Sequence, residues 1–101
     1  MNLSAPPGPS LSVSREGDLL AVGLRGTWSL RAGLPAVAEL DRALDASPPP
    51  RRVRVEGSAL ERWDSSLVVV LGRIQKACED RALELDLAAA PSGARRLLEM
   101  A

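Results

Sequence analysis

Apolar residues recur along the chain at two different spacings, which together predict four strands and three helices. Short apolar runs over residues 11–13 and 19–24 are typical of extended strands, and Gly17 between them favours a tight turn. Two later segments, residues 51–55 and 83–87, alternate apolar and charged side chains, which is the pattern of a half-buried strand. The first two strands are therefore expected to form a hairpin.

Three other segments carry apolar residues at helical spacing. In the first, residues 30–46, a helical start near Pro35 is expected, and the apolar positions are Leu34, Val37, Leu40 and Leu44. In the second, the apolar face comprises Leu67, Val70, Leu71, Ile74 and Cys78. The third is expected to run from Gly93 to Ala101, with Ser92 as its cap and with Leu97 and Leu98 facing inward.

Breaks between these segments set the predicted order as β-β-α-β-α-β-α. Residues 26–29 are expected to end the second strand and to supply Thr27 or Ser29 as a helix cap. Strands that alternate with helices favour an α/β fold: a mixed sheet of about four strands, with parallel crossovers after the hairpin and helices packed on it.

Composition limits the chain to one domain. It has 101 residues, 46% of them apolar, and the core must be built from Leu, Val and Ala because the only aromatic residues are Trp28 and Trp63. Residues 1–10 are rich in Pro, Gly and Ser and are expected to form a flexible leader before a single domain over residues 11–101. The final helix has no glycine or proline stop signal, so we expect this domain to be cut from a longer protein.

Charge and cysteine content favour an intracellular protein that does not bind nucleic acid. The chain has 13 basic and 13 acidic residues, and its short basic clusters at 51–54 and 95–96 are flanked by acids. Cys78 is the only cysteine, so no disulfide can form within the chain and a buried thiol is expected. The sequence has no apolar run long enough to span a membrane and no signal-peptide pattern.

The residues needed for self-contained catalysis are missing from the sequence. The chain has no histidine, and its only lysine, Lys76, follows Ser66 by ten residues, or about 15 Å along a helix. A serine nucleophile would therefore lack a base, and a metal site would lack its usual nitrogen and sulfur ligands. The glycines match neither common nucleotide-binding motif. We expect no catalytic residues, no metal and no cofactor.

The segment Asp64-Ser65-Ser66 precedes the apolar face of the second helix and admits two interpretations. Asp and Ser oxygens accept hydrogen bonds from the unpaired N–H groups at a helix start, so the segment is a candidate N-cap. A phosphoryl group on a serine there would be stabilised by the same N–H groups while presenting charge to a partner. Both interpretations can hold for one residue.

The element order, with this Asp-Ser-Ser segment opening the second helix, resembles the STAS domain shared by sulfate transporters and anti-sigma factor antagonists. The resemblance spans nearly all of residues 10–101 and implies that Ser66 occupies the family's phosphorylated position, with Ser65 as its neighbour. Leu67 departs from the antagonists, which have glycine there; its bulk would hinder a kinase or change the choice of partner.

The second half of the chain also resembles the STAS region that precedes the permease in bacterial lipid-transport ABC systems of the Mla type. The similarity lies in Trp63-Asp64-Ser65, in the helix containing Cys78, and in the Pro91-x-Gly93 start of the last helix. It implies a non-enzymatic regulatory domain at the cytoplasmic face of the inner membrane, with the permease in the same chain. The expected partner is the ATPase subunit, contacted by Arg62, Trp63, Asp64, Ser65, Ser66 and Leu67. The alternative is a stand-alone anti-sigma factor antagonist, switched when an anti-sigma factor kinase phosphorylates Ser66.

Overall fold

Four strands and three helices make up the computed structural model, which describes residues 9–29 and 38–100. In chain order they are β1 (Ser10–Glu16), β2 (Leu19–Trp28), α1 (Ala38–Leu44), β3 (Arg52–Trp63), α2 (Ser65–Asp80), β4 (Glu84–Ala89) and α3 (Ser92–Met100). The predicted α/β class with a four-stranded mixed sheet is confirmed. Residues 1–8 of the leader expected over residues 1–10 lie outside the described residues, as do the predicted helical positions Leu34, Pro35 and Val37. Ser10, which was expected in the leader, is the first residue of β1.

The four strands form one sheet in the order β1-β2-β3-β4. β1 and β2 are antiparallel and form the expected hairpin, whereas β2, β3 and β4 are mutually parallel. Gly17 in the hairpin turn has a φ of +59°, a conformation that residues with a Cβ rarely adopt. Glycine adopts this conformation without the steric cost that a side chain would bring.

One face of the sheet carries the core, because side chains on a strand point alternately to its two faces. Leu20, Val22 and Leu24 of β2 and Val53 and Val55 of β3 are at most 1% exposed. These side chains pack in one cluster with buried residues of all three helices. Burial of each such side chain stabilises the fold by about 1.5–3 kcal/mol.

The opposite face of the sheet is polar. Arg52 and Arg54 of β3 lie beside Glu84 and Asp86 of β4, with N–O distances of 3.1 and 3.5 Å. The Glu84 carboxylate raises the pKa of Arg52, chiefly through their hydrogen bond. These pairs are exposed, so each contributes little to stability.

Helix α2 buries the predicted apolar face, and Leu67, Val70, Leu71, Ile74 and Cys78 are all at most 1% exposed. Burial raises the pKa of the Cys78 thiol, which keeps it protonated and unreactive. None of the described helices is both long and apolar enough to cross a membrane.

Strands β2 and β3 are longer than the sequence predicts. Residues Gly26 to Trp28 continue β2, so the expected strand break and the cap at Thr27 are wrong. The expected cap at Ser29 stays a prediction, because residues 30–37 lie outside the described part of the chain. Gly26 has a φ of +82° beside a shift in register, and it therefore bends the strand instead of ending it. The end of β2 pairs with β3 as far as Trp63, well beyond the alternating segment that predicted β3.

The two shorter helices also differ from expectation. The described part of α1 ends at Leu44, two residues earlier than predicted, with Leu40 and Leu44 buried. In α3 the buried residue is Ala94, while Leu97 is 46% exposed, so the expected inward direction of Leu97 is wrong. Ala94 and Leu98 are four residues apart and share the inward face, which directs Leu97 away from it.

Candidate docking site at the start of helix α2

The candidate site lies at the carboxyl ends of the parallel strands β2 and β3, where open α/β sheets commonly bind their ligands. Trp28 and Trp63 pair with each other at these strand ends. The backbone N–H of Asp64 then donates to the Trp28 carbonyl at 2.9 Å, and α2 begins at Ser65. The end of β2 thus fixes the position at which α2 starts.

Asp64 caps α2, as the sequence predicts. Its backbone is extended, and its side-chain oxygen Oδ1 accepts a hydrogen bond from the N–H of Ser66 at 2.8 Å. Its carbonyl oxygen accepts from the N–H of Leu67 at 3.1 Å. Two otherwise unpaired N–H groups of the first turn are therefore satisfied by one residue.

The two serines of the cap have opposite environments. Ser66 is 0% exposed, and its hydroxyl is buried without a hydrogen-bond partner, whereas Ser65 is exposed. In this conformation a kinase could reach the hydroxyl of Ser65 and not that of Ser66. Leu67 is also fully buried, so its side chain belongs to the core and not to the surface.

The remaining predicted site residues lie at the surface or near it. Arg62 is exposed, and Trp63 and Asp64 are half-buried. Val69 follows Ser65 by four residues, which places both on one side of α2, and it is 47% exposed. We call Trp63, Ser65 and Val69 the α2 docking surface. Arg62 directly precedes Trp63 on β3, so its side chain points to the opposite face of the sheet and is not part of this surface. The sequence did not identify Val69 as a surface residue, because Val69 lies in an apolar run of the kind that is usually buried.

The start of α3 also belongs to this region, which the sequence did not predict. The indole ring of Trp63 lies against Gly93, so closely that a Cβ at position 93 would come within 3.1 Å of ring atoms Cη2 and Cζ2. The Pro91-Ser92-Gly93 segment predicts a helix start, but only the folded chain brings it to Trp63. Glycine here leaves room for the indole ring.

The side chains at this surface are an exposed hydroxyl, a half-buried indole and an exposed valine. No group of three or more His, Cys, Asp and Glu side chains suited to a metal occurs among residues 9–29 and 38–100. Lys76 lies eleven residues after Ser65 and forms an ion pair with Asp80 at 3.6 Å. Lys76 therefore does not provide a base that could activate the Ser65 hydroxyl. An exposed hydroxyl that follows a half-buried tryptophan by two residues is suited to contact with a partner.

Comparisons with known proteins gave no family to which the chain can be assigned. No protein-family model matches it, and the search of curated proteins gave no significant match.

Proposed function

We propose that this chain is a non-enzymatic STAS domain that regulates a bacterial lipid-transport ABC permease by docking on its ATPase subunit. The contact is made by the α2 docking surface. In this proposal the domain lies at the cytoplasmic face of the inner membrane and is joined to the permease in the same chain.

The observation that carries the proposal is that exposed Ser65 and half-buried Trp63 lie together at a helix start fixed by Asp64. A tryptophan held by its neighbours loses little conformational freedom on binding, and tryptophan is enriched among residues that dominate binding energy. The STAS resemblance of the Trp63-Asp64-Ser65 segment supplies the kind of partner.

The alternative function, an antagonist switched at Ser66, has less support. Phosphorylation needs an accessible hydroxyl, and the Ser66 hydroxyl is buried in the first turn of α2. A phosphoryl group there would also displace core side chains, because Ser66 adjoins the fully buried Leu67. Incubation with a candidate anti-sigma factor kinase, followed by intact-mass analysis, would revive this function if Ser66 gained a phosphate.

The permease part of the proposal is tested by the gene. The reading frame should continue past codon 101 into several apolar segments of about 20 residues, each long enough to span a bilayer. An ATPase gene should lie beside it. A stop codon directly after codon 101 would rule out a fused permease.

The docking surface is tested by binding of that ATPase to the chain and its variants, measured by calorimetry. Trp63→Ala should weaken binding by about 30-fold, the loss of a typical hot spot of about 2 kcal/mol. Ser65→Glu should weaken it by about 10-fold, because it adds a charge at an exposed contact while the fold is preserved.

Glu79→Gln is the matched control, since Glu79 is also exposed on α2 but lies about 21 Å along the helix from Ser65. Its affinity should equal that of the unaltered chain. Circular dichroism verifies that each variant is folded. Unchanged affinity in both Trp63→Ala and Ser65→Glu would refute the docking surface.

A further inference from the structure

Strand β1 forms one edge of the sheet, and no strand of the described residues covers its outer side. It stands first in the strand order and pairs, within that part of the chain, only with β2. In an antiparallel strand the N–H and C=O groups of alternate residues point away from the neighbouring strand, so β1 presents a row of donors and acceptors here. Leu11 and Val13 pack against the core but remain half-buried. The edge therefore offers hydrogen-bonding groups and apolar surface to another strand.

The opposite edge, β4, is protected against strand addition, whereas β1 is not. In β4 the N–H of Ala88 donates to Oδ1 of Asp86 at 2.9 Å, and the C=O of Leu87 accepts from the N–H of Ala90 at 3.0 Å. The pairing of β4 with β3 also shifts register, which disrupts the ladder. By contrast, β1 pairs with β2 over all seven of its residues without a shift, and it contains no proline and no lysine. Devices that commonly prevent edge pairing are thus present at β4 and absent from β1.

The sequence of β1 is compatible with antiparallel pairing to a second copy of itself, centred on Val13. In that register all seven residues have a partner: Ser10 with Glu16, Leu11 with Arg15, Ser12 with Ser14, and Val13 with the Val13 of the other copy. Each pair joins two odd-numbered or two even-numbered positions, so paired side chains share a face and outward backbone groups meet. The two charged residues of β1, Arg15 and Glu16, lie opposite an aliphatic and a hydroxyl side chain, so no like charges face each other.

We propose that two copies of this chain associate through their β1 strands and join their four-stranded sheets into one continuous sheet. The two-fold axis passes through Val13, and the aliphatic part of Arg15 covers the half-buried Leu11 of the other copy. One strand pair buries less surface than a standard interface, so the dimer is weak, with a Kd on the order of 100 μM. The proposal does not depend on the α2 docking surface, because β1 shares no residue with that surface.

Sedimentation velocity and amide hydrogen exchange of the unaltered chain test the dimer and its location. The weight-average mass should rise from the monomer value of 10.7 kDa at about 10 μM protein towards twice that value at about 1 mM. The outward N–H groups of β1 should exchange about 4-fold more slowly at the higher concentration, because about four fifths of the chains are then paired. The N–H of Leu85 is the internal control: it points outward at the β4 edge, since that of Glu84 donates to β3, and its exchange rate should not change.

Charge substitutions at Ser12 and Ser14 test the register, because both residues are exposed and face each other across the two-fold axis. Ser12→Lys combined with Ser14→Lys places like charges opposite each other and should raise the Kd by about 10-fold. Ser12→Lys combined with Ser14→Glu places opposite charges there and should lower the Kd by about 3-fold. Ala88→Lys combined with Ala89→Lys is the matched control, since it adds two charges at exposed positions of the β4 edge and should leave the Kd nearly unchanged.

Circular dichroism verifies that each variant is folded, and the exchange measurement remains decisive if a substitution unfolds the hairpin, because it needs no variant. A mass that stays at the monomer value up to about 1 mM would overturn the proposal. So would a dimer that slows exchange at Leu85 and not in β1. Equal Kd values for the two double variants at Ser12 and Ser14 would reject the pairing centred on Val13.

Discussion

Trp28 and Trp63 stand opposite each other at the ends of β2 and β3, yet they have different environments. Trp28 is 0% exposed, and its indole N–H donates to the Arg25 carbonyl at 2.8 Å. Trp63 is half-buried, with one edge of its ring against Gly93. The same residue type at the same level of the sheet therefore fills the core in one strand and reaches the surface in the next.

The contrast is repeated in the next turn of the chain, where Ser66 is buried and Ser65 is exposed. In both pairs the inner member is enclosed by the fold and the outer member is at least partly exposed to solvent. The two members of each pair are the same residue type, so hydrophobicity does not determine which of them is buried. The determining factor is whether the side chain points towards the helices packed on the sheet or away from them. Four predictions test this division, from the largest expected effect on stability to the smallest.

Replacement of Trp28 should have the largest effect. Trp28→Ala removes a fully buried ring and leaves a cavity, which should lower the free energy of unfolding by about 3–5 kcal/mol. Trp63→Ala should lower it by only about 1–2 kcal/mol, because Trp63 is already partly exposed to water in the folded protein. Urea unfolding followed by circular dichroism measures both. Equal losses in the two variants would remove the distinction between core and surface tryptophan.

Loss of the cap should have the next largest effect. Asp64→Ala removes the acceptor for the Ser66 N–H and should lower the free energy of unfolding by about 1 kcal/mol. Asp64→Asn keeps an oxygen in the same place and should cost less than half as much. Thermal unfolding of both variants tests this. If Asn destabilised as much as Ala, the charge of Asp64 and not its hydrogen bond would hold the helix start.

The sequence predicted which helices and strands form better than it predicted where they begin and end. The apolar face of α2 and its Asp64 cap were predicted correctly because helical spacing and capping act within a few residues. The continuation of β2 through Gly26 to Trp28 was not, because glycine locally favours a break and only pairing with the end of β3 keeps the strand extended. Local signals cannot report a partner strand that is 35 residues away in the chain.

Prediction of the candidate site was limited in the same way. The segment Asp64-Ser65-Ser66 was located correctly as a helix start, but the pattern gave no means of separating exposed Ser65 from buried Ser66. That separation depends on how α2 is rotated against the sheet. The contact of Gly93 with Trp63 depends on the packing of α3 beside α2, which has no signature in either segment.

The buried hydroxyl of Ser66 predicts a substitution that increases stability, whereas the substitutions above decrease it. Ser66→Ala should raise the free energy of unfolding by about 1 kcal/mol, since it removes an unpaired buried polar atom and alanine is the better helix former. Ser65→Ala should change it by less than about 0.5 kcal/mol, because the side chain is exposed. Urea unfolding shows whether Ser66→Ala raises or lowers the free energy of unfolding. Destabilisation by Ser66→Ala would mean that its hydroxyl has a partner in solution.

The smallest net change in stability is expected at Gly93, although this substitution acts directly on Trp63. A Cβ at 3.1 Å from the indole must push the ring away by a few tenths of an ångström, while alanine favours the helix by up to about 1 kcal/mol over glycine. The two effects oppose each other, so the free energy of unfolding should change by less than about 0.5 kcal/mol. Gly72→Ala is the matched control, because its Cβ would lie at an ordinary 3.7 Å from Leu98.

The measurement is fluorescence in a Trp28→Phe background, where Trp63 is the only tryptophan. Gly93→Ala should shift the Trp63 emission to longer wavelength as the ring moves towards water, and it should weaken the proposed docking on an ATPase subunit without loss of fold. Gly72→Ala should leave the emission unchanged and stabilise α2 by about 0.5–1 kcal/mol. If Gly93→Ala left the emission unchanged, the ring of Trp63 would not rest on α3 in solution, and the outer tryptophan would be positioned by β3 alone.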